Sequence, residues 1–143
     1  MTRPISKTQI ARRLEWIDAL RSGEYKQDAE GGQLRTTHDT YCCLGVVCDL
    51  FMPSNWNPMK KPFDKMFYSH GSEQNWAVPA PKLVRKVGLS HDSTEVDNVE
   101  FESDMKISVD TCVDMNDLLH MSFDEIADVL LIDLLERSAY KHK

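Results

Sequence analysis

The chain has 143 residues, enough for one domain that buries roughly two-thirds of its unfolded surface around a single core without staples. A formal net charge of −6 disfavours general affinity for DNA or RNA backbones, which demands clustered Lys and Arg. No apolar run reaches the roughly 20 residues of a membrane-crossing helix, and the start of the chain has no secretory pattern, so a cytoplasmic protein with four reduced cysteines is expected.

Ser6 and Gln9 form a capping-box pattern, after which Ile10, Leu14, Ile17 and Leu20 recur at helical spacing down to Gly23. This predicts a first helix with Trp16 at the edge of the core and Arg12, Arg13, Glu15 and Asp18 on a solvated face. The helical period then stops. Glu30-Gly31-Gly32 is a turn signal between Tyr25-Lys26-Gln27 and Leu34-Arg35-Thr36, which reads as a small polar hairpin.

The most apolar stretch follows, from Tyr41 to Met52, and it is expected to be a buried central helix capped by Asp39 or Thr40 and ended by Pro53. Asp49 lies inside it. A carboxylate among apolar neighbours must find a hydrogen-bond donor, stay protonated or point out at a rim. Residues 53–76, with three prolines and Trp56, Phe63, Phe67, Tyr68 and Trp76, read as a long aromatic loop, a kind of segment uncommon unless functional or mobile.

Pro79 and Pro81 open a short helix whose Leu83, Val84 and Val87 face inward before Gly88. Alternation in Val99–Phe101 and Met105–Val109 suggests a second short hairpin. Ser122 and Glu125 make another capping box, with Met121 and Ile126 as a hydrophobic staple, and start a last helix running to about Ser138. The expected fold is therefore α+β: a mostly helical single domain over residues 1–143, packed on a buried central helix, with one or two small β-hairpins.

Strong catalytic signatures are missing: the chain has no phosphate-binding glycine loop, no nucleophile elbow and no dinucleotide fingerprint. His38 with Cys42 or Cys43, and Asp49 with Asp114 or Asp117, are formal pairs without an orienting third group. The cysteines lack paired C-x-x-C spacing, so neither a metal nor a cofactor is expected. An enzyme is the weaker reading. The suggestive polar group is Arg21, Tyr25, Lys26 and Gln27 at a helix end, together with Arg35 and with Trp56 for stacking. Cations, an amide and rings gathered in one place suit a small phosphate-bearing ligand. The alternative is structural, with Tyr25 and Lys26 dressing a hairpin and Arg21 pairing with a terminal carbonyl.

Trp16-x-x-Ala19-Leu20-Arg21-Ser22-Gly23-x-Tyr25-x-Gln27, Tyr41-Cys42-Cys43-Leu44-Gly45-Val46-Val47-Cys48-Asp49-Leu50, Met115-Asn116-Asp117 and Ser122-Phe123-x-Glu125-Ile126-Ala127-Asp128 together resemble a group of small bacteriophage-encoded proteins. The chain departs from that pattern at Asp28–Gly32, where the first turn is larger, and at Leu118-Leu119-His120, which replaces a tighter turn. The resemblance implies an accessory protein acting in a bacterial cytoplasm, and it carries over no catalytic residue. By analogy with the class, such a protein sequesters a small nucleotide-type signal used in antiviral defence or, alternatively, captures a host protein; a small enzyme ranks third. Homo-oligomerisation stays open.

Overall fold

In the computed structural model of the chain, residues 5–28, 31–60, 66–72, 75–89 and 107–141 are described. Helix α1 (Lys7–Ser22) begins at the expected capping box, in which the Ser6 hydroxyl accepts from the Gln9 N–H and the Gln9 side chain accepts from the Ser6 N–H. Gly23 closes it in the left-handed conformation, at φ 83°. The buried face is turned from the predicted stripe: Arg13, Trp16, Ile17 and Leu20 are buried, while Leu14 is exposed. Arg13 thus leaves the solvated face expected for it. Its guanidinium donates to the carbonyls of Val87, Gly88 and Leu130 and to Asp133, so four acceptors replace the water it gives up.

Strand β1 (Lys26–Gln27) does not pair with residues 34–36 as a hairpin. It runs parallel to β2 (Thr40–Tyr41), in register Lys26 with Thr40 and Gln27 with Tyr41, and Arg35 bridges to Tyr41 from the other side. The glycine turn at 31–32 therefore serves to bring both arms to Tyr41, the first residue of the apolar run.

Helix α2 (Cys43–Phe51) is the predicted central helix, with Cys43, Leu44, Val46, Val47 and Cys48 all buried. Its cap is Cys42 rather than Asp39 or Thr40, the thiol sulfur accepting from the Gly45 N–H. Gly45 has a separate role. A Cβ there would overlap the carbonyl of Leu34, which lies directly on the helix and also accepts from the Cys42 N–H. Helix α1 crosses one side of α2, and the Trp16 indole N–H reaches the carbonyl of Cys43 at 2.9 Å.

The stretch read as a loop over 53–76 contains an antiparallel ribbon, β3 (Trp56–Lys60) with β4 (Met66–His70), paired Trp56 to His70 through Lys60 to Met66. Pro58 fits because a two-stranded ribbon leaves each strand one unpaired edge. Helix α3 (Pro81–Arg85) starts on proline as expected and buries Leu83 and Val84 against α2. The second predicted hairpin falls mostly outside the described residues; of its last arm, Ile107 is buried and Val109 opens helix α4 (Val109–Val113) instead of ending a strand. Ser108 caps α4 through Thr111. A π-turn over Asp114–Leu118 follows, closed by Leu119 N–H to Asp114 O, and turns Met115 and Asn116 inward.

Helix α5 (Phe123–Lys141) starts at the predicted Ser122–Glu125 capping box and lies along α1, with Ile126, Ala127, Leu130 and Leu134 buried between them. The result is the α+β domain read from the sequence, mostly helical and built on α2. No described helix is long and apolar enough to cross a membrane.

Candidate functional site

Trp56 opens β3, and four groups meet around it. Its ring makes edge contacts with Tyr41, Tyr68 and His70 at centroid separations of 6.3, 5.9 and 4.8 Å, and its indole N–H donates to Asp49 Oδ1 at 3.0 Å. Asp49 projects from the last turn of α2 and takes a second hydrogen bond, at 2.7 Å, from the Tyr25 hydroxyl. Tyr25 in turn sits edge-on to Tyr41 at 5.1 Å. The carboxylate inside the apolar run thus has two side-chain donors, one delivered by the end of α1 and the other by the start of β3.

Arg35 lies over the rings. Its guanidinium carbon is 4.1 Å from the Tyr68 centroid, 5.2 Å from Trp56 and 5.4 Å from Tyr41. The backbone sets this position, because the Arg35 carbonyl accepts from the Tyr68 N–H at 3.0 Å and so ties the 34–36 segment to β4. The charge is paired with Asp39, whose Oδ1 accepts from both Nε and Nη2. His70 is buried and shares a 2.8 Å hydrogen bond between Nε2 and the carbonyl of Met52.

The electrostatics favour neutral hydroxyls beside a fixed cation. Burial, the hydrogen bond to Asp49 and the charge of Asp49 push the Tyr25 hydroxyl well above its ordinary value. Tyr41 is raised by burial and by Asp49, with Arg35 opposing. Burial alone would lower the Arg35 value, but Asp39 and the neighbouring tyrosines raise it, so its charge is permanent.

A second polar network lies at the opposite end of α2. Asn116 Oδ1 accepts from the Cys43 N–H and from Gln27 Nε2, and Asn116 Nδ2 donates to Asp117 at 2.8 Å. Gln27 also donates to Met121 O and accepts from the Phe123 N–H, while Asp117 accepts from the Gly32 N–H. These bonds tie the starts of α2 and α5 to β1 and the π-turn. Every member is engaged in holding backbone, which marks the network as structural.

The domain of unknown function DUF8296 matches residues 7–133. The chain belongs to the DUF8296 family. The match begins with α1 and extends into α5, so the DUF8296 region takes in both the Arg35–Trp56 cluster and the Asn116 network. No curated protein and no solved structure matches the chain.

Of the six residues singled out from the DUF8296 sequence, Tyr25, Arg35 and Trp56 come together. The other three do not. Arg21 pairs with Asp128 on α5, Gln27 belongs to the Asn116 network, and Lys26 is exposed on β1. Sequence reasoning missed Tyr41, Tyr68, His70 and Asp39. The signal for the rings was present in the aromatic density of 53–76, but only the β3–β4 register shows which of them meet Trp56. The formal pair of His38 with a thiol is not assembled, since His38 is exposed on its turn and both Cys42 and Cys43 are buried. Burial pushes Cys42 up to about 12, opposed by the N–H groups of Gly45 and Leu44. Cys43 is raised well above the ordinary value, first by its contact with Cys112 and then by burial, and Cys48 chiefly by burial.

Proposed function

We propose that the protein binds a small phosphate-bearing ligand of nucleotide type at Arg35 and holds it without turnover. The observation that carries this reading is a permanent guanidinium, 17% exposed, set over Tyr41, Trp56 and Tyr68 and paired with a carboxylate that is itself 65% exposed. An anion arriving from solvent finds a fixed cation, and the surrounding rings offer edges and faces to a base or sugar. The net charge of −6 works against a long polyanion and leaves a small ligand unaffected once it is bound locally. Holding without turnover is supported by the state of the nucleophile candidates: the Cys42, Cys43 and Cys48 thiols and the Tyr25 hydroxyl are kept protonated. The resemblance to small bacteriophage proteins supports the biological setting, in which the ligand is a host signal of antiviral defence and the protein withdraws it.

Calorimetry with a panel of linear and cyclic nucleotides, followed by chromatography of the recovered ligand, tests both halves. Loss of one charge-assisted contact costs roughly 1.5 to 3 kcal/mol, so Arg35→Ala should weaken binding by about tenfold to a hundredfold. Arg21→Ala should leave affinity unchanged, because Arg21 is engaged with Asp128. Failure of every nucleotide to bind overturns the reading, and a chemically altered ligand makes the protein an enzyme.

One observation favours a second reading, capture of a host protein. Among the described residues, the two most exposed large apolar side chains are adjacent at the end of the π-turn, where Leu118 is 70% and Leu119 65% exposed. The chain from Ile107 to Glu136 holds no Lys or Arg, so the fitting partner is a basic amphipathic segment. Under this reading Leu118→Glu with Leu119→Glu abolishes cross-linking to the partner, whereas Arg35→Ala retains it.

A further inference from the structure

The anion on Arg35 belongs to the chain itself, and the two halves of the pair are held very differently. Arg35 is the fixed half. Three rings and a backbone tie to β4 hold it, and most of its side chain is buried. Asp39 is the free half: its carboxylate stands mostly in water and makes its two contacts through a single oxygen, Oδ1, at 3.1 Å to Nε and 2.6 Å to Nη2.

The turn that delivers Asp39 does not depend on the ion pair. The Thr36 hydroxyl accepts from the N–H groups of His38 and Thr40, the Asp39 N–H donates to Thr36 O, and the Thr36 N–H donates to Thr40 O. Asp39 itself sits at φ 61°, in the left-handed region that Asp and Asn enter more readily than other side chains. Rotation of one side chain therefore removes the carboxylate from Arg35 while the turn stays closed. Both guanidinium donors then face the solvent side that Asp39 covered, in the fork geometry that suits a phosphate oxygen pair.

We infer that Asp39 is a built-in anion mimic, a carboxylate that occupies the phosphate position on Arg35 and must be displaced by the ligand. The inference rests on the reading of Arg35 as the phosphate-binding residue. Asp39 lowers the affinity of the site for every anion that must displace it, and a ligand that adds ring contacts to the charge offsets that cost best. An ion pair with one exposed partner contributes little, so releasing it changes affinity modestly, by about twofold to fivefold.

The test is calorimetry with two probes, inorganic pyrophosphate and adenosine monophosphate, on the wild-type chain, Asp39→Asn, Arg35→Gln and the double variant, each checked by melting. Asp39→Asn keeps shape and tolerates the left-handed backbone, so it should bind both probes about twofold to fivefold more tightly than wild type. Arg35→Gln and the double variant should bind both probes about tenfold to a hundredfold more weakly than wild type. A merely structural Asp39 gives the opposite result, a lower melting temperature with unchanged or weaker binding in Asp39→Asn, and that outcome overturns the mimic while the loss in Arg35→Gln leaves the Arg35 site standing. Tighter binding by Asp39→Asn that survives Arg35→Gln places the anion elsewhere and overturns both, as does the absence of binding to wild type and Asp39→Asn alike.

Discussion

Arg13 carries a permanent charge and is wholly buried, which is tolerable only because Val87, Gly88, Leu130 and Asp133 all present acceptors to it. Removing one partner leaves the other charge uncompensated in the core, so Asp133→Ala should destabilise the fold by about 3 to 5 kcal/mol, read as a lower urea midpoint. Arg12→Ala, one residue away and only half-buried, should shift the midpoint by less than about 0.5 kcal/mol. Gly45 is a second residue whose identity is set from outside its own helix. Gly45→Ala should gain helix propensity yet cost about 1 to 3 kcal/mol, because the new methyl displaces the Leu34 backbone. Neither fact was legible in the sequence. The acceptors of Arg13 lie 74 to 120 residues away in the chain, and a charged residue next to an apolar stripe carries no mark of them. Asp49 was half legible: a carboxylate in an apolar run announces a partner without naming Tyr25 and Trp56.

Among the elements, those with local signals were read well. Two capping boxes and the left-handed Gly23 bound α1 and α5, and the unbroken apolar run identified α2 as the buried centre. Val47 and Leu134 stand on the two faces so defined, and truncating either to Ala should cost roughly 1 to 4 kcal/mol through lost burial and a residual cavity. Unchanged midpoints in both would mean that α2 and α5 do not share the core. The misread elements were those defined by pairing. Strand β1 finds its partner at Thr40–Tyr41, beyond the arm that a hairpin rule selects. In the ribbon, Trp56-Asn57-Pro58-Met59-Lys60 has no clean alternation, and its pairing with Met66–His70 is set by ring contacts around Trp56 and by the tie from Tyr68 to Arg35. The candidate site inherits that limit: it is made where β1, β2, the end of α2 and the ribbon meet, so half of its residues were visible locally and half only through the pairing.

For the molecule as a whole, the buried acids that titrate at high pH predict a one-sided stability profile. In the folded chain Cys42 is pushed up to about 12 from an ordinary 9.0, Cys43 and Cys48 are raised well above 9.0, and Tyr25 and Tyr41 are raised above 10.0. In every case burial favours the neutral, protonated group. As pH rises past 9.0 the unfolded chain loses these protons first, so it binds fewer protons than the folded chain and stability falls with pH. Below that point both states hold the protons and these groups contribute no slope. The urea midpoint should therefore stay free of a thiol contribution up to about pH 8 and decline steadily from about pH 9. Tyr25→Phe should flatten the part of the decline above about pH 10 while leaving its onset, which belongs to the cysteines. The same burial makes the thiols unreactive: an aromatic disulfide reagent at neutral pH should titrate none of the four free cysteines in the folded chain and all four in denaturant. A midpoint that stays level through pH 11, or rapid native labelling, would show that α2 opens to solvent far more readily than a helix enclosed by α1, α3 and α4 should.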